Sequence, residues 1–124
     1  MQRIISRIHQ GLAWVFLVGL LLQLYLAGAP MFGVTSFEPH RMLGATLAAL
    51  AILFPVLALI GRLGRQLIGL SVLLVVLIVV QVMLPSLRGS ASAIAALHSV
   101  NALALMGTSA RIGRQHRVET LQVN

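Results

Sequence analysis

Few side chains in this sequence can exchange a proton or hold a metal: four histidines (His9, His40, His98, His116) and two carboxylates (Glu38, Glu119). There is no cysteine, which excludes disulfides, thiolate metal sites and thiol catalysis. No nucleophile–base set and no carboxylate dyad is present. Two of the histidines stand out by their spacing. Gln23 precedes His40 by 17 residues, and Gln81 precedes His98 by 17. Two imidazoles projecting inward from facing helices are what axial ligation of a haem iron requires, and four-helix bundles build cofactor sites in this way.

The neighbours suit that chemistry. One turn beyond each histidine, on the same helix face, stands a small residue: Gly44 after His40 and Ala102 after His98. A flat macrocycle needs helices without bulk beside its ligands. Leu47 and Ala51 on one side, and Leu105 and Met106 on the other, suit an apolar ring. Arg41 and Arg88 are candidate partners for the propionates. Gln23 and Gln81 are candidates to bind a propionate or to orient an imidazole N–H. The plainer alternative is a histidine that bridges helices and a glutamine that serves as interhelical glue. The matched pairs favour ligation.

The elements that must position these residues follow from hydropathy. Of 124 residues, 59% are hydrophobic and 9% charged, against roughly a quarter charged in a soluble domain. Four apolar stretches, about 8–29, 39–60, 66–87 and 91–111, carry no charge in their central parts. A spanning helix needs roughly 20 apolar residues, so the chain predicts a single all-α transmembrane domain, 1–124. The connections Pro30–Glu38, Gly61–Arg65 and Arg88–Ser90 are short enough to force antiparallel neighbours.

The net charge of +7 does not point to nucleic acid, because the charges lie between and beyond the apolar runs. All nine basic residues are arginine. Arg3, Arg7, Arg62, Arg65, Arg111, Arg114 and Arg117 fall on one side of the stack, and Arg41 and Arg88 on the other. The positive-inside rule then puts both termini in the cytoplasm. Ala27-Gly28-Ala29 after an apolar run resembles a signal-peptide cleavage site, but the run is long for a signal core and is read as a retained first helix.

Shifting the chain by 58 residues superposes Gln23 on Gln81 and His40 on His98. It also superposes Arg7 on Arg65, Gly11 on Gly69, Leu12 on Leu70 and Leu26 on Leu84. The expected architecture is therefore an integral membrane antiparallel four-helix bundle of two repeated hairpins, 1–58 and 59–116. An axis along the membrane normal would relate them and would set His40 opposite His98 near the outer leaflet.

These residues resemble a family. Ser36-Phe37-Glu38-Pro39-His40-Arg41-Met42-Leu43-Gly44 resembles the Glu…His-Arg start of the second helix in haem A synthases. Val80-Gln81-Val82-Met83-Leu84, with Leu97-His98 and Asn101-Ala102, resembles their third and fourth helices. The likeness covers nearly the whole chain as one half of those two-bundle proteins, and it also extends to small four-helix bacterial membrane proteins. It implies a bacterial inner (cytoplasmic) membrane, and haem ligation by His40 and His98. The chain departs from the family in lacking a second bundle and an outer-loop cysteine pair. One residue separates Glu38 from His40 where the family has two. Glu38 is thus a weak catalytic candidate, read first as an acid at a helix N-terminus beside a Ser36 cap.

The resulting expectation is a b-type cytochrome-like protein. It would bind one haem b and transfer electrons, with a quinone or a redox protein as partner, as a homodimer or within a larger membrane complex. Bis-histidine iron has no open position, which favours electron relay over oxygen chemistry. Two alternatives stand beside it. A structural or assembly subunit would carry no cofactor. An enzyme acting on haem or quinone would need Glu38. A transporter fits less well, for want of paired acids in the spans. His9 would meet a second haem only in an oligomer. His116 is read as contacting lipid headgroups with Arg114 and Arg117. Trp14 and Tyr25 read as interface anchors, Pro55 as a kink in helix 2, and Gly61–Arg65 as a tight loop rather than a phosphate cradle.

Overall fold

A computed structural model describes the backbone of residues 1–122 and the side chains of residues 1–115. It is all-helical over these residues. The α-helices are α1 (Gln2–Gly28), α2 (Glu38–Ala51), α3 (Leu53–Ile60), α4 (Arg65–Met83), α5 (Ser92–Ala95) and α6 (Leu97–Gln122), with 3₁₀ turns at Ala29–Phe32 and Leu84–Gly89. End to end they make four stretches long and apolar enough to cross a membrane: Gln2–Phe32, Glu38–Ile60, Arg65–Gly89 and Ser92–Gln115.

The first stretch begins six residues before the apolar run does. Arg3 and Arg7 are good helix formers and nothing in that turn breaks the helix, so hydropathy understates it. The last stretch runs past residue 111 for the same reason. Proline explains the interruptions. Pro55 has no N–H for the carbonyl of Ala51 and its ring crowds the preceding turn, so the second stretch is interrupted at Ile52, one turn before the proline. Pro30 and Pro85 lie within the two 3₁₀ turns, where α geometry tightens as the helix runs out.

Only 22–28% of the most apolar part of each stretch is buried. The rest presents side chains such as Val15, Val18, Leu21, Val76, Val79 and Leu103 outward. Burial follows the same offset as the polar residues. Ala13, Phe16 and Leu20 in α1 are buried, and so are Ser71, Leu74 and Ile78 in α4, 58 positions later. Leu47, Ala51 and Phe54 recur as Leu105, Ser109 and Ile112, and His9 as Leu67.

The principal contacts run between α1 and α6 and between α4 and α6, with α2 and α3 against α1 and α4. Small residues permit close approach. A Cβ on Gly113 would lie 2.8 Å from the Trp14 indole, and one on Gly19 2.8 Å from Leu47. Ser109 Oγ donates to the Ala13 carbonyl at 2.7 Å and Gln10 Nε2 to that of Gly113 at 3.0 Å, joining α6 to α1.

Candidate functional site

His40 is the third residue of α2 and His98 the second of α6, so both imidazoles leave the first turn of a helix. Each leans on the helix that precedes it in sequence. His40 Nδ1 lies 3.2 Å from the Gln23 carbonyl, and His98 Nδ1 lies 2.9 Å from that of Gln81. A carbonyl only accepts, so both Nδ1 atoms carry the proton, and in the neutral ring Nε2 holds the lone pair. A backbone carbonyl that fixes the tautomer in this way is a common support for metal-ligating histidine. The two rings lie edge-on to each other, with centroids 6.3 Å apart and planes at 66°.

A centroid separation of 6.3 Å is one that two imidazoles on opposite sides of a single metal ion could also show, at about 2.0–2.1 Å for each metal–nitrogen bond. No group of three or more His, Cys, Asp or Glu able to hold a bare ion occurs among the described residues.

The surroundings are less symmetric than the histidines. On the α6 side, Asn101 Nδ2 donates to the Leu77 carbonyl at 2.8 Å and to Gln81 Oε1 at 2.7 Å. Gln81 Nε2 lies 3.2 Å from His98 Nε2 and donates to its lone pair. On the α2 side, position 43 is leucine where the offset of 58 would put the counterpart of Asn101. There Gln23 Oε1 is buried without a hydrogen-bond partner. The Gln23 amide occupies the room left by Gly44, whose Cβ would stand 2.8 Å from Gln23 Nε2. Ala102, the counterpart of Gly44, is buried. The two glutamine amides thus occupy the space beside the imidazoles, and a flat group between the helices would have to displace both, the Gln23 oxygen giving up no hydrogen bond in doing so.

The other sequence candidates fall as follows. Arg41 turns to Glu38 in an ion pair, with Nε to Oε2 at 3.1 Å; both side chains are exposed. Arg88 is exposed in the second 3₁₀ turn. Neither arginine hydrogen-bonds to His40 or His98. Glu38 sits in the first turn of α2, as expected of an acid at a helix N-terminus; the N-cap is Phe37 rather than the expected Ser36, whose Oγ accepts from the Glu38 N–H at 3.3 Å.

His9 is wholly buried between helices, edge-on to Phe54 at 5.4 Å, with Nε2 3.0 Å from Ser71 Oγ. Ser71 spends its own proton on the Leu67 carbonyl at 2.7 Å, so His9 is the donor. Within the described residues that is a packing contact between helices. Trp14 covers Gly113 and is part-exposed, and Tyr25 is exposed near the other end of α1. The side chains of His116 and Arg117 lie outside the described residues.

Sequence reasoning did not assign Asn101 a role, although it lies three residues after His98 and so on its face.

The model of a family of unknown function (DUF6220) matches residues 23–88. The chain belongs to this family. The DUF6220 match opens on Gln23 and ends on Arg88. It spans His40, Gly44 and Gln81 and stops short of His98. No curated protein matches this DUF6220 chain, and no solved structure does.

Proposed function

We propose that this chain is a b-type cytochrome-like membrane protein in which His40 and His98 hold one haem b near the outer leaflet for electron transfer. The observation that carries the reading is the 6.3 Å separation of the two rings, each backed through Nδ1 by a glutamine carbonyl. The resemblance to half of a haem A synthase supports the same ligands, and the recurrence of buried positions supports two repeated hairpins. In this reading the four helical stretches form an antiparallel bundle in a bacterial cytoplasmic membrane. Both termini face the cytoplasm with the arginine-rich end.

Bound haem supplies a reversible one-electron couple, for exchange with a quinone or a partner protein. The chain's residues do the rest. The two carbonyls hold the imidazole protons on Nδ1, the Nε2 of His98 becomes available once the Gln81 amide leaves it, and Gly44 and Ala102 add little bulk of their own beside the two histidines. Gln23 and Gln81, once displaced, have amide N–H groups for propionates. Glu38 is exposed and paired with Arg41, which gives it no enclosed site for catalysis.

The test is a reduced-minus-oxidised absorption spectrum of protein purified after haem-replete expression. Low-spin b-type bands are expected in the wild type and are expected to be lost in both His40→Ala and His98→Ala. A colourless wild-type preparation would sink the proposal. One observation favours a second reading. The Asn101–Gln81–His98 network is complete without any cofactor, as a structural or assembly subunit would have it. That reading expects a colourless protein that co-purifies with partners.

A further inference from the structure

We infer that the turn between α1 and α2 lies in the lipid interface at the histidine end of the molecule, while the matching turn between α4 and α6 stays in water. The inference rests on the helices' crossing a membrane, as proposed above, and is independent of any cofactor.

The first turn carries a patch of large apolar side chains turned outward. Met31 is 81% exposed, Phe32 85%, Val34 64% and Phe37 50%. Single exposed hydrophobics are ordinary, but a cluster of them marks a contact with another apolar phase. The turn does not need them in order to fold. Gln23 to His40 and Gln81 to His98 span the same 17 residues, so each position of one turn has a counterpart in the other. There Met31, Phe32, Val34 and Phe37 give way to Gly89, Ser90, Ser92 and Ala95, and Pro30 to Arg88. Over 89–95, Ile94 alone is large and apolar.

Two features say that lipid is what covers the patch. The first is continuity. Val15, Val18, Leu21 and Tyr25 are exposed along one face of α1, at spacings of three and four residues, and Gly28 and Phe32 continue the series into the turn. No Asp, Glu, Lys or Arg occurs from Ile8 to Phe37. A face that meets acyl chains along the span therefore runs on into Phe32.

The second is the backbone. An irregular segment that faces lipid must bond its own polar groups, and this one does so. The Gly33 N–H donates to the Pro30 carbonyl and the Val34 N–H to that of Ala29, both at 3.1 Å. Gly33 supplies the left-handed residue, φ 71°, that lets the chain close on itself. Glu38 and Arg41, the first charges after the turn, neutralise each other.

The test uses the cysteine-free chain in phosphatidylcholine nanodiscs, where both faces meet solvent, with bimane on Val34→Cys or on its counterpart Ser92→Cys. The Val34 probe is expected to be quenched by a nitroxide near the top of the acyl chain. It is expected to be several-fold less quenched by aqueous iodide than the Ser92 probe. Met31→Gly, Phe32→Ser and Phe37→Ala together give the first turn the residues of the second. In that chain the Val34 probe is expected to open to iodide, while the Ser92 probe keeps its own value, as it would not in a misfolded protein. Equal iodide quenching of the two probes in the starting chain would overturn the inference. So would a Val34 probe unmoved by the triple exchange. A Val34 probe shielded from iodide and nitroxide alike would mean that protein covers the turn, a second copy or another chain, and would overturn lipid as the occupant. Recovery of the chain in the aqueous fraction would overturn the membrane reading as well.

Discussion

At the scale of single residues, the histidine pair was legible because type and spacing coincide: a scarce ionisable residue, twice, each behind a glutamine. What was not legible is how the glutamines act. Every residue has a carbonyl, so no spacing announces that the main chain of Gln23 and Gln81 would receive the imidazole protons. Of the side chains, the Gln81 amide does reach His98, and the Gln23 amide fills the space beside Gly44. Asn101 is the residue whose removal should show this most directly. Asn101→Leu takes the partner from Gln81 Oε1 and leaves a buried amide oxygen unpaired, as Gln23 already has. Interhelical hydrogen bonds in such settings are worth roughly 0.6–2 kcal/mol, so a loss of that order is expected in a denaturant titration. No loss would show that the network contributes nothing to stability. Ser71→Ala should cost roughly 0.5–1.5 kcal/mol in the same measurement, because it removes a buried hydrogen bond to His9.

At the scale of elements, the four apolar runs gave the helical stretches, but their ends were drawn by hydropathy, and the helices end by other rules. Arginine-bearing turns at the first and last helices continue the α-helix although they are not apolar. Pro55, Pro30 and Pro85 interrupt or tighten it although their surroundings are apolar. The inner turn between α3 and α4 was read as tight, and the structure shows how tight. A Cβ on Gly61 would meet Ile5 at 2.8 Å and the Leu57 carbonyl and Leu63 at 2.9 Å. Gly61→Ala is therefore expected to destabilise by roughly 1–3 kcal/mol through overpacking, read as a fall in the thermal midpoint. Stability unchanged by that substitution would mean that α1 does not approach this turn. Pro55→Ala should restore an amide to bond the Ala51 carbonyl, adding one slowly exchanging backbone hydrogen at the Ile52 break. Exchange mapped by mass spectrometry checks it, and an unprotected amide there would place the cause of the break elsewhere than in the proline.

At the scale of the whole molecule, the arginine distribution makes a prediction about orientation that the absence of cysteine makes easy to test. Single cysteines can be placed without background at Gln66, beside the α3–α4 turn, and at Ser90, near the opposite end. A membrane-impermeant maleimide is expected to label Ser90→Cys in intact cells and Gln66→Cys only after permeabilisation; the reverse pattern would invert the proposed topology. The agreement between the two halves was visible in a few polar matches, and burial extends it to positions where leucine faces phenylalanine or serine faces alanine. Those were hidden because many side chains serve equally well in an apolar interior. One disagreement between the halves, Leu43 against Asn101, then acquires a meaning. Two separate copies of one hairpin, assembled as a pair, would be obliged to carry the same residue at both places. A single continuous chain is under no such obligation: it can tether one imidazole through a relay of amides, leave its twin on a lone carbonyl, and so give a symmetric scaffold a front and a back.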